Sequence, residues 1–297
     1  MCTQARVLRT RDIAVARCMR FQALLTARTA VCSCAVPSLF LAPSLCLGAI
    51  WSILDCCTNP GLIALTFDDG PTSHTPEILD MLDEKNCKAT FHFNTNVRAK
   101  GNIKQLYRRA ADEKHCVGLR VKPDRNYETM DPDDVEDDIN RQIASINNEV
   151  GEDIKYARAP VDDGNVNENV YNALLRNNVT QTGYMYCLYD GYDNPGDAIK
   201  FYRTLIENSN PKYDSFIFLL HDAKEEHFPL AEEMIDIGRE NGYKFVTLDQ
   251  CLEGYVPEEG GCSGSNGGSS GRRKRKEKSG VSSMIIFPLT IFALLSM

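Results

Sequence analysis

Asp68 and Asp69 stand side by side in the stretch Thr66-Phe67-Asp68-Asp69-Gly70-Pro71, directly after an apolar run at 62–65. A strand ending there delivers two carboxylates to the loop-lined end of a sheet, where α/β enzymes keep their chemistry. One carboxylate could act as a general base and the other as a metal ligand. Asp-Asp-Gly-Pro is also an ordinary turn composition, and six residues alone do not separate the two readings. Three further polar groups follow apolar runs in the same manner. Arg158 opens Arg158-Ala159-Pro160, Asp190 opens Asp190-Gly191-Tyr192-Asp193, and His221 ends the run 216–220, just before Asp222. A base, a cation and an imidazole arriving from separate loops favour a site over a turn.

For these residues to meet, several strand ends must share one side of a sheet. Short apolar runs alternate with amphipathic segments through the middle of the chain, as in repeated βα units around a parallel sheet. Strands are expected at 62–65, 89–93, 156–159, 184–188, 216–220 and 245–248. Helices are expected at 75–84, with Thr75 as N-cap and Pro76 in the first turn, and at 103–114, 131–150, 167–176, 198–208 and 229–241. The longest carries Val135, Ile139, Ile143 and Ile146 at helical spacing. No internal repeat is present.

The chain of 297 residues is 43% apolar and 25% charged, enough for one sizeable core, assigned to residues 54–256. Both ends differ from it. Residues 1–53 form a leader whose part 30–53 is apolar, small and cysteine-dotted behind Arg20 and Arg28, as in a signal peptide or signal anchor. Met19 is an alternative start, and cleavage is expected near Gly48 or Ala49. A Gly/Ser-rich and basic linker, 257–283, precedes an apolar tail, 284–297. That order is the composition of a glycosylphosphatidylinositol signal, with attachment at Ser265, Asn266, Ser269 or Ser270. The 14 tail residues fall short of the about 20 that a membrane helix needs, which leaves a short tail anchor as the alternative. Secretion to the cell surface or wall, with a membrane tether, is the expected location.

Residues 1–53 and 272–297 each carry a net charge of +5, so a chain of net −8 has a middle of net −18. Such a body repels nucleic acid and suits a basic polymer, although solubility alone also accounts for the charge. Of 12 cysteines, Cys2, Cys18, Cys32, Cys34 and Cys46 fall in the leader. The others lack close Cys-x-x-Cys spacing, which argues against zinc held by thiolates. In an oxidising compartment, Cys56 or Cys57 paired with Cys251 would join the two ends of the domain. Asn178-Val179-Thr180 is the one N-glycosylation sequon.

The motifs resemble, in order, those of the polysaccharide deacetylases, the family that includes chitin and peptidoglycan deacetylases. Thr66 to Pro71, Arg158-Ala159-Pro160, Asp190 to Asp193, and the apolar strand ending in Leu220-His221-Asp222 carry the resemblance, which runs from Gly61 to Leu252. It implies an α/β fold, a distorted (β/α)7-8 barrel. It also implies roles: Asp68 as base, Asp69 as zinc ligand, His221 as the acid that protonates the leaving amine, Arg158 orienting Asp68, and Asp190 polarising His221. The implied partner is chitin or a related N-acetylglucosamine polymer.

One motif departs from the family. Two zinc histidines four residues apart normally follow a strand containing Val-Gly or Ile-Gly. Here Val117-Gly118-Leu119-Arg120-Val121-Lys122-Pro123-Asp124 puts Arg120 and Asp124 in their places. A guanidinium has no lone pair to offer zinc. At ~4 Å and an effective dielectric of about 20 it would repel a divalent ion by about 8 kcal/mol. Zinc lowers the pKa of bound water from about 15.7 to about 7, worth about 12 kcal/mol, and a lone carboxylate cannot supply that. The fork of Arg120 is instead expected between Asp68 and Asp69. Val161 and Asn194 replace an aromatic residue and a Trp of the family, which weakens the sugar platform. The expected cofactor is therefore none, with zinc only if a rearranged set such as Asp69, His74 and Asp124 forms. His92 is expected inside the barrel with a satisfied hydrogen bond, and His115 and His227 on the surface. Two readings result: a surface or wall protein with an impaired deacetylase site, or an active chitin deacetylase with a rearranged or absent metal.

Overall fold

The computed structural model describes residues 53–95, 103–160, 166–188, 194–222 and 227–257. The leader, the linker, the tail, Val161 and Asp190 lie outside these residues, as does the side chain of His227.

Eight strands form one parallel sheet: β1 (Leu62–Gly70), β2 (Thr90–Asn94), β3 (Cys116–Arg120), β4 (Tyr156–Arg158), β5 (Thr180–Gln181), β6 (Tyr186–Cys187), β7 (Phe216–His221) and β8 (Lys244–Val246). The order across the sheet is β5-β4-β3-β2-β1-β7-β6, and β8 pairs with the first half of β1. The connecting helices are α1 (Thr75–Glu84), α2 (Ile103–Asp112), α3 (Pro132–Val150), α4 (Glu168–Arg176), α5 (Pro195–Glu207) and α6 (His227–Glu240), followed by the short α7 (Leu248–Cys251). The sheet curls into a half-barrel, the expected α/β barrel type, with β1 at its centre.

Strand alternation sorts the sheet into two faces. Leu65, Phe67, Phe91, Phe93, Leu119, Phe218 and Leu220 face the helices and form the main core with Ile78, Leu82, Ile139 and Ile235. The opposite, inner face begins with Ala64, Cys116 and Ile217, which pack on Val246, Leu248 and Cys251. A disulfide, Cys57–Cys251, ties the entry of the domain to α7 there. Higher up, the inner face turns polar: Thr66, Asp68, His92, Arg120, Arg158 and His221.

Side-chain caps start several helices, the expected one at Asp131 among them. Asp131 accepts from Asp133 N and Asn167 from Val170 N, each as the N-cap of the following helix. Asn194, in the family's Trp position, caps α5 by accepting from Asp197 N. Three expectations need correction. Thr75 is not the N-cap of α1; His74 is, because the Thr75 hydroxyl is committed to Asp222. The last strand ends at Val246, and Thr247 starts α7 where a strand was expected. His115 is buried, because the chain reverses at Lys114 in the left-handed region (φ 68) and turns the ring inward. There Nδ1 accepts from Ala89 N at 3.1 Å, with the ring edge-on to Phe91.

Candidate active site

Register brings the site together before any loop is considered. Asp68 on β1 pairs with His92 on β2 and with His221 on β7, and Arg120 on β3 pairs with Arg158 on β4. Residues paired across a parallel ladder project to the same face, so these five side chains share the inner face. Gly118 lies in the same row, opposite His92. A Cβ at Gly118 would sit 2.6 Å from the Tyr156 carbonyl oxygen and 3.0 Å from His92 Cδ2, so only glycine fits between the β4 backbone and His92.

Adjacent residues of a strand should point to opposite faces, yet Asp68 and Asp69 both reach the site. The ladder to β2 slips between Asp68 and Gly70, leaving Asp69 as the extra residue of a bulge in the left-handed region (φ 72). Asp tolerates this conformation better than most residues, and a bulge re-aims the side chain it carries. Gly70 follows without a Cβ because the Asp222 carboxylate occupies that space. Asp222 accepts from the hydroxyls of Thr72 (2.9 Å) and Thr75 (2.7 Å), and its backbone N–H donates to the Asp68 carbonyl, pinning the turn onto β7.

Asp68 is buried. Its Oδ1 accepts from His92 Nδ1 at 2.8 Å, and its Oδ2 lies 3.6 Å from Arg120 Nε and 3.7 Å from Arg158 Nε. Burial raises its pKa, but Arg158, His92 and Arg120 outweigh burial and hold the carboxyl well below the usual range. Burial keeps His92 below its ordinary value. With Nδ1–H given to the carboxylate, His92 Nε2 is an acceptor that faces the Thr182 hydroxyl at 3.3 Å. Arg158 donates from Nη2 to Thr66 Oγ1 at 3.0 Å and stacks over the Tyr184 ring, with Cζ 5.0 Å from the centroid.

Asp69 uses both oxygens: Oδ1 accepts from Arg120 Nε at 3.0 Å and Oδ2 from His221 Nδ1 at 2.8 Å. Burial raises its pKa, yet the His221 hydrogen bond and the Arg120 charge bring it below the usual value. Two carboxylates are thus matched by two guanidiniums, with Arg120 between Asp68 and Asp69.

These residues do not fit a zinc site. A permanent cation lies 3.0 Å from the one carboxylate that would ligate the metal, and His221 takes that carboxylate's other oxygen. Asp124 is exposed on the turn after β3 and takes no part in the cluster's hydrogen bonds, and His74 pairs with Glu77 at 4.0 Å. The rearranged set Asp69, His74 and Asp124 is therefore not assembled. Among the described residues no group of three or more His, Cys, Asp or Glu side chains is placed to hold a metal ion.

Of the residues singled out from sequence, the structure brings together Asp68, Asp69, Arg120, Arg158 and His221. Asp190 lies outside the described residues, and His221 Nδ1 donates its hydrogen bond to Asp69. Sequence reasoning missed three participants. His92 was expected to be internal but not to hold Asp68, Asp222 had no assigned part, and Cys187 lies with its Sγ 3.8 Å from His221 Nε2.

The sequence profile of the family described as polysaccharide deacetylase matches residues 55–187. A chitin deacetylase from Colletotrichum lindemuthianum is 30% identical over 221 residues, spanning 68% of this chain and 83% of that protein. The solved structure of a chitin deacetylase from that fungus superposes with a TM-score of 0.61 at 25% identity, over 72% of this chain and 98% of its own. A peptidoglycan-N-acetylglucosamine deacetylase from Bacillus cereus is 28% identical over 201 residues, 66% of this chain and 70% of that protein. The fold likeness extends to a family 4 carbohydrate esterase pseudoenzyme from Bacillus anthracis, with a TM-score of 0.56 at 19% identity over 66% of each chain. The chain belongs to the polysaccharide deacetylase family.

Proposed function

We propose that this chain is a deacetylase-fold protein of the cell surface or wall that engages chitin-type N-acetylglucosamine polymers without zinc-dependent deacetylation. The observation that carries this reading is Arg120, whose Nε lies 3.0 Å from Asp69 and 3.6 Å from Asp68, where its charge opposes a divalent ion. The family's reaction needs an activated water, a stabilised oxyanion and a protonated leaving amine. Asp68 could orient a water and His221 could give a proton. Neither replaces the roughly 12 kcal/mol by which zinc eases deprotonation of water. The polymer partner rests on relatives that are chitin and peptidoglycan deacetylases. Export is supported by the Cys57–Cys251 disulfide, since such bridges persist in oxidising compartments. The membrane tether remains a reading of the tail's composition.

The test is acetate release from chitin oligomers by the purified protein with zinc or cobalt added, alongside cosedimentation with chitin. Retention on chitin with no metal-dependent acetate release is expected. Zinc-dependent release that Asp69→Ala abolishes would overturn the proposal.

A further inference from the structure

Cys187 is a nucleophile on the inner face, beside the ion-pair cluster. It ends β6, beside Leu219 of β7, and its Sγ lies 3.8 Å from His221 Nε2, within reach for a sulfur hydrogen bond. The tautomer of His221 follows from its other nitrogen. Asp69 is ionised and can only accept, so Nδ1, 2.8 Å away, carries the proton. Nε2 is then a lone pair facing the thiol, the arrangement that lets an imidazole act as base toward a nucleophile oriented by a carboxylate.

The surroundings suit a thiolate. Cys187 is a thiol rather than half of a disulfide and is partly exposed, whereas the thiols of Cys87 and Cys116 are buried. Arg158 ends β4 on the same inner face. Its guanidinium is buried, and Nε and Nη1 have no hydrogen-bond partner among the described residues. Its Nε lies 3.7 Å from the Asp68 carboxylate, and the guanidinium adds positive charge to the inner face.

We infer that Cys187, His221 and Asp69 form a nucleophile, base and orienting group for metal-independent hydrolysis of a small carboxylic ester. The thiol proton passes to His221 Nε2 as Sγ bonds to the acyl carbon. The C–O bond to the alcohol breaks, and the leaving oxygen takes the proton from Nε2, giving the alcohol and a thioester on Cys187. Water then attacks the thioester and gives a proton to Nε2. The C–S bond breaks, the carboxylic acid leaves, and the sulfur regains its proton. An ester is the fitting class because an alkoxide is a better leaving group than the nitrogen anion that an N-acetyl group would expel without protonation. The inference rests on the proposed loss of zinc in one respect, since a metal on Asp69 would take the oxygen that orients His221.

The test uses the full chain with a chelator present, so that zinc chemistry cannot contribute. Reaction with p-nitrophenyl acetate, quenched in acid and mapped by mass spectrometry, should place one acetyl group on the Cys187 peptide, with none in Cys187→Ser. Iodoacetamide should label Cys187 at least about tenfold faster than a cysteine-containing peptide, and His221→Gln should return it to the peptide rate. The labelling comparison on the unaltered protein stands even if a variant fails to fold. Labelling no faster than the peptide, or acetylation confined to other residues, would overturn the inference. Metal-dependent acetate release from chitin oligomers that Cys187→Ser leaves intact would instead overturn the zinc-free reading.

Discussion

Replacing Arg120 by Met removes the cation shared by Asp68 and Asp69 while keeping most of the aliphatic stem. At 3.0 and 3.6 Å and an effective dielectric of about 20, the two attractions amount to about 5.5 and 4.6 kcal/mol. Desolvation of the guanidinium cancels much of this, and removal of one partner of a buried pair costs about 3–5 kcal/mol in practice. The Asp69 side chain is 28% exposed, which lowers the expected loss to about 2–4 kcal/mol. Urea unfolding at pH 7 in chelator, with the disulfides intact, should show a midpoint lowered by about 1 M at an m-value of about 2–3 kcal/mol/M. Asp69→Asn should relieve part of the loss, so the double variant should be more stable than additivity predicts by at least ~1.5 kcal/mol. The Arg120→Met cost should also shrink below about pH 5, as a carboxylate without its cation takes up a proton more readily. A cost under about 0.5 kcal/mol, or additivity with Asp69→Asn, would mean that Arg120 does not neutralise the pair.

Two buried groups titrate in opposition. Burial raises the Asp222 carboxyl from 3.8 to about 6, so the folded state holds a proton that the unfolded chain has lost, and stability falls as pH rises between those values. Burial lowers His115 from 6.5 to about 4, so the unfolded state binds the proton first, and stability falls as pH drops through that window. Each is worth at most about 3 kcal/mol. Asp222→Asn should therefore leave a protein that loses stability on acidification from pH 6.5 to 4, and His115→Gln one that loses stability as pH rises from 4 to 6. Thermal melts at intervals of pH that stay parallel to those of the unaltered protein would refute both shifts. The Cys57–Cys251 bridge closes a separation of 194 residues, and Cys57→Ser with Cys251→Ser should cost about 2–5 kcal/mol by urea unfolding. The backbone bond from Thr58 N to the Cys251 carbonyl should then exchange hydrogen earlier, and a cost below about 1 kcal/mol would show that α7 holds without the bridge.

Local chemistry was the legible part of this chain. The Asp131-Pro132 cap, the period of Val135, Ile139 and Ile143, and the apolar runs of β1 and β7 each depend on residues close in sequence. The ordered motifs placed Asp68, Arg158 and His221 at strand ends, and the loss of two histidines pointed to the ion pairs of Arg120. Register was not legible. That Asp68 lies opposite His92 is a property of how β1 meets β2, and no pattern within either strand states it. The bulge at Asp69 was hidden for the same reason, and with it the physical means by which adjacent carboxylates reach one site. His115 was expected on the surface, and it is the reversal at Lys114 and the hydrogen bond from Ala89 N that draw it inward. β5 spans two residues, too few for a period, and Cys187 gains meaning only when β6 is laid beside β7.

The most direct test of the central claim is metal content, measured by elemental mass spectrometry after the purified protein is incubated with zinc and desalted. The ion-pair site predicts less than about one zinc per ten chains, with no change in Asp69→Ala, because Arg120 already holds that carboxylate. One zinc per chain, lost in Asp69→Ala, would contradict it and return the site to the family's metal-dependent chemistry.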